Sequence, residues 1–84
     1  MTPSPGRIRL VVYTRKDCGL CEEFIAGLSA WAGERGMAFA VADVDADPAD
    51  RERFGLMVPV LVAAGRPLLS GRFDPEVLEE LPAE

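Results

Sequence analysis

Residues 13–24 read YTRKDCGLCEEF and hold both cysteines of the 84-residue chain, separated by Gly19 and Leu20. What flanks this stretch decides the fold. Upstream, residues 7–13 (RIRLVVY) begin with alternation and become continuously apolar and rich in β-branched side chains, the pattern of a strand in a sheet covered on both faces. Downstream, Cys21, Phe24, Ile25, Leu28 and Trp31 recur at helical spacing and share one face. Gly33 and Gly36 end that helix, with a left-handed cap expected at one of them. The cysteine pair therefore stands where a strand hands over to a helix.

Position makes the two thiols unequal. Cys18 falls at the mouth of the helix, where the free amides of the first turn and the helix dipole favour negative charge and lower a thiol's pKa. Arg15 and Lys16 add positive charge, while Asp17, Glu22 and Glu23 oppose it. Cys21 lies one turn further in, on the apolar stripe, and is expected to be more buried. An exposed Cys18 thiolate would attack a disulfide, and Cys21 would resolve the resulting mixed disulfide. Two other readings compete. Both cysteines could be small buried hydrophobes, or the pair could be half of a metal site. The chain has no histidine and no further cysteine, so zinc would need carboxylate ligands or a site shared between two chains, and an iron-sulfur cluster a homodimer. A strand before the pair and a helix beginning at it are the context a redox motif requires.

Composition narrows the partners. Nine basic and fourteen acidic residues give a net charge of −5, the wrong sign for holding a phosphate backbone, so no nucleic acid is expected. No apolar run is long enough to span a bilayer or form a signal-peptide core, which predicts no membrane association and a cytoplasmic location. Two cysteines in a reducing compartment point away from a disulfide scaffold.

Residues 1–6 (MTPSPG) read as a flexible leader, and residues 7–84 as one domain. Beyond the first helix, residues 37–44 (MAFAVADV) form a second apolar run of strand length. Asp47 and Pro48 start a short helix that runs to Phe54. Residues 59–71 (PVLVAAGRPLLSG) read as a hairpin turning around Gly65. Asp74 and Pro75 open a last helix with Val77, Leu78 and Leu81 on its apolar face, and Pro82 ends it. The order β-α-β-α-β-β-α predicts an α/β fold with a mixed four-stranded sheet flanked by three helices, the first two strands parallel. Asp43, Asp45 and Asp47 match the start of an EF-hand loop. Pro48 then replaces the required glycine and Phe54 the required glutamate, so these aspartates are read as a solvated loop and a helix cap. Phe24, Trp31 and Phe39 are assigned to the core. Leu20, slightly off the apolar stripe, is expected to be partly exposed and to touch substrate.

With YTRKDCGLCEEF after a hydrophobic strand, VPVLV downstream and SGRFD before the last helix, the chain resembles the short bacterial glutaredoxin-like proteins of the thioredoxin superfamily over residues 7–81. The resemblance implies a thioredoxin-like fold and thiol-disulfide oxidoreductase activity in redox homeostasis and electron transport, with Cys18 as nucleophile and Cys21 resolving. It implies a cis Pro59 facing the cysteine pair and a Val58 backbone that pairs with substrate, where local sequence alone would favour an ordinary trans proline opening an edge strand. Glutathione would be a possible co-substrate, held by Arg15 or Lys16 and in part by Gly71 and Asp74, although Asp74 also reads simply as a cap. No cofactor would be tightly bound. Partners would be disulfide-containing proteins or glutathione mixed disulfides, with glutathione or a reductase as electron source, and the protein would be a monomer.

The resemblance is incomplete in places. Cys-Gly-Leu-Cys stands where glutaredoxins often carry Cys-Pro-Tyr-Cys, and Ser70-Gly71-Arg72 replaces a glycine pair. Asp17 occupies the place of thioredoxin's tryptophan, and Val12 that of its buried aspartate, so the proton of Cys21 would have to move through water or another group. A non-catalytic redox-sensing or adaptor domain is the alternative from another class.

Overall fold

The computed structural model describes residues 9–79. In chain order its elements are β1 (Leu10–Thr14), α1 (Gly19–Glu34), β2 (Phe39–Asp43), a 3-10 turn (Val44–Ala46), α2 (Pro48–Phe54), β3 (Val60–Ala63), β4 (Arg66–Ser70) and α3 (Pro75–Glu79). The sheet runs β2-β1-β3-β4. β1 is parallel to β2 and antiparallel to β3, and β3 is antiparallel to β4. This is the expected mixed sheet with three helices. The leader, Arg7 and Ile8 at the expected start of the first strand, and Leu81 and Pro82 at the end of the last helix lie outside the described residues. Among those described, no helix is long and apolar enough to cross a membrane.

Alternation along the two central strands divides the core in two. Leu10 and Val12 of β1 and Leu61 and Ala63 of β3 face α1 and α3, packing with Phe24, Leu28, Trp31, Ala32 and Leu78. Val60 and Val62 face the other way and pack with Val44 and Phe54 under α2, joined by Tyr13, Met57 and Val58. Every residue of β3 is buried for this reason, as a central strand covered on both sides must be.

The ends of the elements follow from local chemistry. α1 stops in a Schellman motif: the Gly36 amide donates to Gly33 O and the Met37 amide to Ala32 O, with Gly36 at φ +65°. The expected left-handed cap is thus Gly36, while Gly33 remains helical. Asp47 caps α2 by accepting from the Ala49 amide at 2.8 Å, and Asp43 accepts from the Asp45 amide at 2.9 Å. The latter bond shapes a 3-10 turn where an open loop was expected.

Two readings of apolar residues need correction. β2 is an edge strand paired only with β1, and Ala40 and Val41 are exposed; Val41 pairs with Val12 and so lies on the α1 face, outside the cluster that Phe39 joins. Val77 is exposed while Leu78 enters the core. Phe24 and Trp31 are buried as expected, and Phe39 is half-buried against the same cluster.

Candidate functional site

Cys18 and Cys21 are joined as a disulfide with their Cα atoms 5.2 Å apart. Cys18 is the N-cap of α1, with extended backbone (φ −119°, ψ 101°). Its Sγ accepts from the Cys21 amide at 3.1 Å, and its carbonyl accepts from the Glu22 amide. A sulfur so placed sits among free first-turn amides, at the positive end of a sixteen-residue helix. Asp17 precedes it at φ +57°, a left-handed conformation that aspartate tolerates better than most side chains. That residue reverses the chain from the β1 direction into the cap. Cys18 is half-buried, whereas Cys21 is only 2% exposed. Cys21 is the more buried of the two, as expected, while Cys18 is half-buried where an exposed residue was expected.

Sheet pairing brings the other site elements to the same end of the molecule. Tyr13 lies opposite Val60 across the antiparallel β1–β3 ladder, so the chain leaves β1 where it enters β3. The Val58–Pro59 bond at that entry is cis. Pro59 is buried and opens an interior strand, not the edge strand that local sequence would favour. Its carbonyl accepts from the Gly71 amide at 2.9 Å, tying the end of β4 to the same region. Gly71 and Leu20 then line one shallow cleft of about 190 Å³ with Glu23, Phe24, Arg72 and Phe73. Phe73 meets Phe24 edge-on, with ring centroids 5.6 Å apart, and forms the floor between α1 and the β4–α3 loop. Leu20 is 42% exposed at its rim.

The residues expected around the cysteines thus fall into two groups. Leu20 and Gly71 share the cleft and Pro59 is hydrogen-bonded to Gly71, and Val58, half-buried, packs its side chain under α2. Arg15 is engaged elsewhere. Its Nε and Nη2 donate to the two carboxylate oxygens of Asp45 at 2.8 and 3.0 Å, and its Nη1 donates to Gly55 O at 3.0 Å. The hydrogen bonds from Arg15 hold the Asp45 carboxyl below its ordinary pKa, and Asp45 in turn raises that of Arg15. Lys16 is exposed in the loop. Asp74 accepts from the Glu76 amide at 3.0 Å and so caps α3.

From the sequence, Asp45, Gly55, Glu23, Arg72 and Phe73 have no place in the site: Asp45 reads only as part of a solvated loop, and Glu23 only as a charge opposing the thiolate. Glu23 and Phe24 follow the second cysteine closely, and proximity was a usable signal for them. Asp45 lies thirty residues from its arginine, and no local pattern links the two. Among the described residues, no group of three or more His, Cys, Asp or Glu side chains converges in a way that could hold a metal ion.

Residues 9–81 match the family described as Glutaredoxin-like domain (DUF836). The solution structure of protein Ne2328 from Nitrosomonas europaea is similar at 30% identity and a TM-score of 0.76, over 94% of this chain and 95% of that one. The X-ray structure of protein XcR50 from X. campestris is 36% identical with a TM-score of 0.66, over 87% of this chain and 99% of that one. Fasciola hepatica thioredoxin shares the fold, at 24% identity and a TM-score of 0.60, over 88% of this chain and 77% of its own. No curated protein matches the chain.

Proposed function

The chain belongs to the glutaredoxin-like family, and on that premise we propose that it is a thiol-disulfide oxidoreductase working through Cys18 and Cys21. The observation that carries this reading is the inequality of the two sulfurs, one half-exposed at a helix N-cap and the other buried one turn behind it. In the reduced protein the Cys18 thiolate attacks one sulfur of a substrate disulfide. A Cys18–substrate bond forms, the substrate bond breaks, and the departing thiolate takes a proton from water. Cys21 then gives up its proton and attacks the Cys18 sulfur, releasing the second substrate thiol and leaving the Cys18–Cys21 disulfide. No polar or charged side chain is buried among the described residues, so the Cys21 proton passes to water or to the departing thiolate.

Two electrons leave the protein in each cycle. Glutathione, in two successive exchanges, or a reductase returns them, and no bound cofactor is needed. Substrates are protein disulfides or glutathione mixed disulfides, docked beside Val58, Pro59, Leu20 and Gly71. Arg72 offers a cation at the cleft rim, and Lys16 offers one in the cysteine loop.

Trapping tests the assignment. With Cys21→Ser the second step is blocked, and mixed disulfides on Cys18 should accumulate with glutathione or protein and be read by mass. If Cys18 in this variant stays inert to thiol reagents near neutral pH, the assignment is wrong. Repeated turnover of the unmodified protein with glutathione supplied separates an enzyme from a domain that switches once with its redox state.

A further inference from the structure

Three segments that are distant in sequence meet at one guanidinium. Arg15 lies in the loop between β1 and α1, three residues before Cys18. Asp45 lies in the 3-10 turn after β2, and Gly55 at the end of α2, three residues before Val58. The fork of Arg15 closes on both oxygens of Asp45, and its remaining terminal nitrogen reaches the Gly55 carbonyl. Each contact uses a different edge of the planar group, which only arginine can offer.

The pair is partly open to water, with side chains 39% and 37% exposed. Such pairs add little to global stability. What this one constrains is relative position. Asp45 braces the guanidinium, and the guanidinium holds the start of the 55–59 segment against the loop that carries Cys18. The Met57 amide, bonded to Phe54 O at 2.8 Å, continues the constraint toward the cis bond.

We infer that Arg15, braced by Asp45, is a positioning residue that sets the Cys18 loop against the Val58–Pro59 segment, so that an extended substrate chain can engage both at once. The inference rests on the oxidoreductase reading and deepens it. It also reverses the role that resemblance implied for Arg15, since a side chain committed to Asp45 and Gly55 acts through the loops and not on the substrate.

Asp45→Asn tests it in single-turnover assays with pre-reduced protein. Bis(2-hydroxyethyl) disulfide is too small to span both loops, and its reduction should stay within about twofold of the unmodified protein. For a disulfide-bearing peptide, the half-saturating concentration should rise on the order of tenfold, short of the roughly hundredfold that a full ångström of misplacement can bring, with the saturating rate held. Arg15→Gln should raise it equally and the double variant no further, because the pair acts as a unit. Arg15→Lys should recover little, since an ammonium cannot fork. An unchanged or improved peptide value in Asp45→Asn would overturn the inference, as would equal losses on both probes. If the unmodified protein reduces neither probe, the oxidoreductase reading falls, and amide hydrogen exchange decides the clamp alone. Faster exchange in residues 16–18 and 56–58 together supports it, and a change in one segment or neither overturns it.

Discussion

The amide of Cys21 points at the sulfur of Cys18 across 3.1 Å, so the residue that would resolve a mixed disulfide also supplies a hydrogen bond to the sulfur that would form it. In the proposed mechanism that amide would face a Cys18 thiolate, and charge-assisted bonds are about twice as strong as neutral ones. Alkylation of the reduced protein near neutral pH should therefore label Cys18 at least about tenfold faster than Cys21, which is buried on the apolar face. Peptide mapping after brief exposure to iodoacetamide reads the ratio. Equal labelling would remove the asymmetry on which the proposed mechanism depends.

Gly27 and Gly33 both lie within α1, yet replacing them with alanine should have opposite effects. A Cβ at Gly33 meets nothing within 4 Å, and Gly33→Ala should gain up to about 1 kcal/mol from helix propensity. A Cβ at Gly27 would stand 2.6 Å from Phe73 Cδ2. Overpacking of this kind costs about 1–3 kcal/mol and outweighs the propensity gain. Gly27→Ala should therefore lower the urea midpoint and also displace Phe73 from the cleft floor. A stabilised Gly27→Ala would show that the α1–Phe73 contact is loose.

The turn of the β3–β4 hairpin places Ala64 at φ +54° beside Gly65 at φ +78°. Two consecutive left-handed residues make the two-residue turn that suits strand twist, and asparagine is favoured at the first of them. Ala64→Asn should stabilise the protein by about 1 kcal/mol, the scale of the left-handed penalty for an ordinary side chain. Thermal or urea unfolding measures it, and a loss of stability would contradict the turn geometry.

The Arg15–Asp45 pair carries a pH signature. The Asp45 carboxyl is held below its ordinary value of 3.8, first by the hydrogen bond from Arg15. A carboxyl depressed in the folded state contributes stability that is present above the unfolded pKa and disappears as pH falls through the folded one. The stability difference between the unmodified protein and Asp45→Asn should therefore be constant from neutral pH to about pH 5 and shrink from near pH 4 downward. It should also narrow in high salt, because both groups are partly exposed. Paired urea titrations across that range test it, and a gap that widens below pH 4 would reverse the assigned sign.

The sequence by itself determined which helices and strands form and where the cysteine pair sits. Strong apolar runs marked β1 and β3, helical spacing from Cys21 to Trp31 marked α1, and Asp-Pro pairs marked the starts of α2 and α3. Each is a local signal, since caps, proline and side-chain periodicity act within one or two turns of chain. The placement of Cys18 on a helix tip followed from the same signals. Only the tertiary structure decided that Val41 lies on an exposed edge, because apolar composition does not say which strand ends up at the edge of the sheet. Ala64 gave no warning of its left-handed turn, since alanine, unlike glycine, asparagine or aspartate, has no preference for one, and the close of β3 onto β4 imposes that conformation. The largest change concerns Arg15. Its local setting, beside Lys16 and ahead of the cysteines, suits an anionic substrate, yet thirty residues away Asp45 offers a carboxylate at fixed geometry. A partner already held by the fold is engaged at lower entropic cost than a free ligand, and that partner becomes visible only when the chain is folded.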